Sequence, residues 1–102
     1  MREVQGKPQN FPGALVGKGD FRAQVEQVFQ NLKAALEAAG ASFQDVFKMN
    51  SYFLDLNNLG IYREVRNRYV DVANPPASTA VQVSRLVHPD LLIEIEVIAL
   101  LR

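Results

Sequence analysis

The chain has 102 residues, 48% of them hydrophobic and 22% charged, a composition that suits one globular domain over residues 1–102 with a single core. Basic and acidic residues both number 11, so the formal net charge is zero, which argues against a dominant phosphate-neutralising role and permits self-association. With no cysteine and one histidine, His88, the chain is without disulfides, thiolate metal sites, a thiol nucleophile or a multi-histidine metal centre.

Met1 to Gly19 is rich in Gly, Pro, Lys and Gln and reads as a loop or loosely held arm, with a short strand at most over Phe11 to Val16. It holds no signal-like apolar stretch. The longest apolar run, Val97 to Leu101, is far too short to span a bilayer, so a cytoplasmic protein without membrane contact is expected. Asp20 is placed to cap a helix whose apolar stripe is Phe21, Val25, Val28, Phe29, Leu32 and Leu36, and Gly40 to end it. After a short turn at Ser42 to Asp45, Val46 to Leu54 is aromatic-rich and strand-like. Asn57 or Asn58 is placed to cap a second helix bearing Leu59, Tyr62, Val65 and Tyr69, which ends before Asn74-Pro75-Pro76.

Two further strands are predicted near Ser78 to Leu86 and Leu91 to Leu101. Both carry a two-residue apolar period and read as a β-hairpin. A register opposing Val83 with Ile95 and Val81 with Val97 gathers Val81, Val83, Ile93, Ile95 and Val97 on one face, to pack the helices. Ser78, Ala80, Gln82, Ser84, Glu94 and Glu96 then share the other face, and Thr79 points toward the helices. A three-stranded sheet with two helices on one side leaves that mixed face uncovered. Burial between identical chains is the expected remedy, with sites at subunit boundaries.

From Gly19 onward the sequence resembles the Rid family of small trimeric proteins, also known as YjgF/YER057c/UK114 or L-PSP. The resemblance rests on Gly19-Asp20-Phe21-Arg22-Ala23-Gln24, Asn31-Leu32, Ala38-Ala39-Gly40-Ala41-Ser42, Asp45-Val46 and Tyr52-Phe53-Leu54-Asp55, with Tyr62 and Tyr69. The tail, Asn74-Pro75-Pro76-Ala77, Val81-Gln82-Val83, Leu86 and Ile93-Glu94-Ile95-Glu96-Val97-Ile98-Ala99, is its most specific part. The resemblance implies a chorismate-mutase-like α+β fold, a homotrimer, and clefts between subunits that take a small molecule. It also implies cofactor-independent hydrolysis of reactive enamines and imines to a keto acid and ammonia. The family's substrate-binding arginine makes a bidentate pair with the substrate carboxylate, and a glutamate of the Glu-x-Glu pair helps to place water.

By that resemblance Glu94 takes the catalytic glutamate's place, while Ser78, Ala80 and Tyr62 are the candidate substrate-binding residues. Ser78 stands where the family carries its arginine and Ala80 where it often carries cysteine, so the chain resembles an arginine-lacking branch. Neither Arg85 nor the terminal Arg102 is placed to substitute. A second departure is at the front. Met1 to Gly19 is too short and too polar for the family's two-stranded N-terminal hairpin, so either the start is trimmed or misassigned, or the sheet is reduced.

Two readings of Glu94 stand side by side: a water-orienting group, and a structural acid bonded to backbone amides at a subunit boundary. Glu96 reads as structural or solvated, and His88 as an exposed turn residue. Tyr52, Tyr62, Tyr69, Phe47 and Phe53 read mostly as core, with Tyr62 or Tyr69 at the rim of the cleft as the lesser alternative. Arg63, Arg66 and Arg68 make a basic cluster on the second helix, usually a solvated face. A translation-inhibitor or endoribonuclease-like contact with RNA is the weakest reading of that cluster. The functional expectation is an imine or enamine hydrolase with altered specificity, the alternative a non-catalytic trimer that binds a metabolite or stabilises a partner.

Overall fold

The structure, a computed structural model, describes residues 1–9 and 14–101. Its elements run β1 (Arg2–Gly6), α1 (Phe21–Ala38), β2 (Val46–Phe53), α2 (Leu59–Arg66), β3 (Ala77–Gln82) and β4 (Ile93–Ala99), with 3-10 turns at Phe43–Asp45 and Leu56–Asn58. Much of this is set locally. Asp20 caps α1 by accepting the Ala23 amide at 3.0 Å. At the far end Gly40 takes φ 78°, and the amides of Gly40 and Ala41 turn back to the carbonyls of Glu37 and Leu36 at 3.0 and 2.8 Å. This Schellman closure is open to glycine because it lacks a Cβ. Ser42 and Asp45 form a reciprocal capping box at the next corner. Asn58 stands at the N-cap of α2, as expected, but its side chain makes no capping bond, and Asp55 caps the 3-10 turn before it by accepting from the Asn57 amide at 2.9 Å.

The sheet has four strands in the order β1-β4-β2-β3. Two expectations are corrected here. Met1 to Gly19 is not all loop, since Arg2–Gly6 pairs antiparallel with β4. Of the short strand expected over Phe11 to Val16, Leu15 makes only an isolated bridge to Gln9, and residues 11–13 lie outside the described residues. β3 and β4 do not form a hairpin either. β2 lies between them, pairing antiparallel with β4 and parallel with β3. Parallel neighbours need a long crossover, and residues 54–76, including α2, supply it. The reason is burial: β4 places Ile93, Ile95, Val97 and Ala99 fully out of water, which suits a central strand, whereas the small residues of β3 suit an edge.

Both helices cover one face. Val25, Val28, Phe29, Leu32 and Leu36 of α1 and Tyr62 and Val65 of α2 pack against Met49, Phe53, Ile93, Ile95 and Val97. Gly6 brings β1 close under α1, where a Cβ at that position would sit 2.7 Å from Leu32 Cγ. Phe47 departs from its expected core role. It lies at a bulge between Val46 and Lys48 and is 45% exposed. Among the described residues no helix is long and apolar enough to cross a membrane.

Candidate functional site

The uncovered face of the sheet carries the polar chemistry. Strand alternation sets Glu94, Glu96 and Ile98 of β4 on it. Across the β2–β4 ladder these oppose Tyr52, Asn50 and Lys48 respectively. The β2–β3 register adds Ala77, Thr79 and Val81, and the Lys48 ammonium reaches the Thr79 hydroxyl at 3.5 Å. Gln5 and Glu3 of β1 lie beside Glu96 and Ile98.

The two acids of β4 are held differently. Glu96 Oε1 accepts from Tyr52 Oη at 2.6 Å and from Asn50 Nδ2 at 3.1 Å. That bond, with some burial and the nearby carboxylates, raises the Tyr52 phenol above its ordinary range. Glu94 has a looser partner, the Lys7 ammonium 3.8 Å from Oε1, and 23% of its side chain is exposed. Lys7 follows β1, and Asn31 of α1 fixes the backbone there by donating to the carbonyls of Lys7 and Gln9. Glu94 is thus a half-buried carboxylate with a cation at its side, a group able to orient water or take a proton.

The four residues singled out by resemblance do not converge within one chain. Glu94 is on the open face. Ser78 opposes Met49 and Ala80 opposes Ser51, so both lie on the helix side of β3, Ser78 exposed and Ala80 half-buried against the core. Thr79, expected to point to the helices, is on the open face instead. The parity expected for β3 is therefore reversed, because its partner is β2 rather than β4. Tyr62 is a core side chain, 1% exposed, packed edge-on to Phe53, with its hydroxyl 2.6 Å from Ser51 Oγ and donating to Met49 Sδ at 3.4 Å. It is not available at the surface of the chain.

Sequence reasoning missed Lys7, Asn50 and Tyr52 as open-face groups. The signal was present for two of them, since Lys48, Asn50 and Tyr52 alternate with Met49, Ser51 and Phe53. Lys7 gave none, as its approach to Glu94 depends on β1 joining the sheet. The arginines in and just past α2 are partly engaged. Arg68 meets Glu26 at 3.2 Å and Glu64 at 3.7 Å, and Arg66 lies over the Tyr62 ring at 5.6 Å.

The family described as Endoribonuclease L-PSP matches residues 6–101. A RutC family protein of Pyrococcus horikoshii is 49% identical over 82 residues, covering 80% of this chain and 64% of that protein. TdcF of Escherichia coli, which carries a provisional name as a reactive intermediate deaminase, is 38% identical over 82 residues, covering 78% of this chain and 63% of its own. The chain thus spans just under two thirds of the length of these relatives. The crystal structure of RidA from an Antarctic Psychrobacter superposes with a TM-score of 0.85 at 35% identity, over 96% of this chain and 77% of that one. With a family match across nearly its whole length and the same mixed sheet under two helices, the chain belongs to the Endoribonuclease L-PSP family, together with the RutC and Rid proteins.

Proposed function

We propose that this protein is a cofactor-independent hydrolase of imines or enamines, working as a homotrimer, with a specificity changed by Ser78 at the family's arginine position. The observation that carries this reading is Glu94, a half-buried carboxylate on the open sheet face beside Lys7. It is the residue that the resemblance assigns to water placement. The relation to TdcF supports the same chemical class. Since Ser78 and Glu94 lie on opposite faces of one sheet, a cleft that uses both takes them from neighbouring subunits. Without an arginine, a desolvated carboxylate contact weakens by about 2–5 kcal/mol, so the favoured substrates are imines that do not depend on that contact.

The test generates 2-imino acids and uncharged imines in situ with an amine or amino-acid oxidase and follows their decay with and without the protein. The expected result is acceleration of uncharged imines, lost by about 10²-fold or more in Glu94→Gln, as for removal of a general base. Ser78→Arg is expected to extend the activity to 2-imino acids. No acceleration of any imine by folded, assembled protein would overturn the reading. The second reading, a non-catalytic trimer that binds a metabolite or stabilises a partner, draws on the missing charge at Ser78. It would then stand. RNA contact through Arg63, Arg66 and Arg68 is disfavoured by the zero net charge and by the carboxylate partners of Arg68. Absence of RNA binding at low salt would dispose of it.

A further inference from the structure

The connection from β3 to β4 is anchored at both ends and arched between them. At its start the Val83 amide donates to the Phe53 carbonyl at 2.8 Å. At its end the fully buried Gln24 accepts from the Leu92 amide at 2.9 Å and donates to the Asp90 carbonyl at 2.9 Å, while Leu91 is fully buried. The arch borders an open groove of about 440 Å³ lined by Leu54, Leu86 and Val87 and by the polar groups of Ser84, Arg85 and His88, with Val87, Arg85 and His88 themselves exposed.

Three features give this groove a chemical preference. Arg85 has no carboxylate partner among the described residues. Lys33 and Arg68 also line cavities, but they already hold Glu37 and the pair Glu26 and Glu64. The acid closest in sequence to the arch, Asp90, lies 3.8 Å from the Lys18 ammonium. Finally, His88 Nδ1 accepts from the Asp90 amide at 3.1 Å, so the neutral ring keeps its proton on Nε2, a donor left for a ligand. An unpaired guanidinium and an imidazole N–H beside an apolar lining suit a small carboxylate with an apolar body, because guanidinium matches a carboxylate in two parallel hydrogen bonds. The volume lies within the usual range for small-molecule sites.

We propose that the arch over residues 84–89 is a binding site for a small apolar monocarboxylate, held by the Arg85 guanidinium. It is separate from the open sheet face and does not rest on the hydrolase reading. The test titrates benzoate, with uncharged benzamide as control, into the full-length protein and follows amide shifts by NMR. Saturable benzoate binding with shifts centred on Leu54 and residues 84–89 is expected, with benzamide at least tenfold weaker. Arg85→Met should weaken benzoate at least tenfold, Arg85→Lys less, and Arg63→Met, which removes an exposed helical arginine, not at all. Equal loss in Arg63→Met and Arg85→Met would show non-specific charge attraction and overturn the proposal. So would shifts centred on Glu94 and Lys7, equal binding of benzamide, or no saturation.

Discussion

Tyr52 reaches diagonally across the β2–β4 ladder to Glu96, not to Glu94, the residue it directly opposes, and donates a 2.6 Å hydrogen bond to Glu96 Oε1. The choice leaves Glu94 with the Lys7 ammonium as its neighbour. One carboxylate of the pair is therefore tied into the sheet by two short hydrogen bonds, while the other has the longer 3.8 Å contact with Lys7. Tyr52→Phe should remove the charge-assisted bond while leaving the Asn50 contact, destabilising the fold by about 1 kcal/mol in urea unfolding near neutral pH. Because the folded-state phenol is raised, its contribution is complete below the unfolded value of about 10 and fades as pH climbs through the folded value. The gap between wild type and Tyr52→Phe should shrink above that point. A phenolate titration at 295 nm should show the component missing from Tyr52→Phe ionising above the ordinary tyrosine value.

Ser51 and Tyr62 form a buried polar pair inside an apolar core, with oxygens 2.6 Å apart. Removing one partner strands the other without water. Tyr62→Phe is expected to cost about 1–3 kcal/mol, since a buried unsatisfied hydroxyl carries that penalty. Adding Ser51→Ala should recover part of the loss. A double-mutant cycle from chemical denaturation checks this, and simple additivity of the two changes would count against a coupled pair.

Gln24 is the tie between the start of α1, the loop at Gly17 and the approach to β4. It is fully buried and makes hydrogen bonds to the Gly17 and Asp90 carbonyls and the Leu92 amide. Gln24→Leu keeps similar volume but leaves backbone groups unpaired at three places. A loss of about 2–4 kcal/mol is expected from that desolvation. Hydrogen exchange at the Leu92 amide should accelerate more than at Val97, in the middle of β4.

Arg22 and Glu64 join the two helices through a paired contact at 3.0 and 3.3 Å on the exposed side. The Arg22 bond and charge hold the Glu64 carboxyl below its ordinary range, with a smaller contribution from Arg68. A depressed carboxyl stabilises the fold above its unfolded value of 4.5 and loses that effect as pH falls through the lower folded value. Glu64→Gln should therefore be less stable than wild type at pH 6 and equal to it at the acid end. Both residues are solvent-facing, so added salt should narrow the pH 6 difference. Thermal melts across pH and salt read both effects.

What the chain alone determined is what short-range chemistry decides. Asp20 and Gly40 bound α1 because a cap oxygen and a residue free to adopt positive φ act within one turn. The core residues Phe21, Val25, Val28, Phe29, Leu32 and Leu36 follow from helical period, and Ile93, Ile95 and Val97 from strand period. Family membership was legible too, in the motifs from Gly19 to the Glu-x-Glu strand. Which strand lies beside which was not legible. Alternation says which residues of a strand share a face, but any neighbour accepts the same alternation. The insertion of β2 between β3 and β4 is decided by burying the whole apolar edge of β4 under both helices. That one tertiary choice turned Ser78 to the helix side and Thr79 to the open face. The entry of β1 into the sheet brought Lys7 to Glu94. The site depends on these long-range pairings because its residues come from three strands and a loop, and their meeting is settled by packing summed over the whole core.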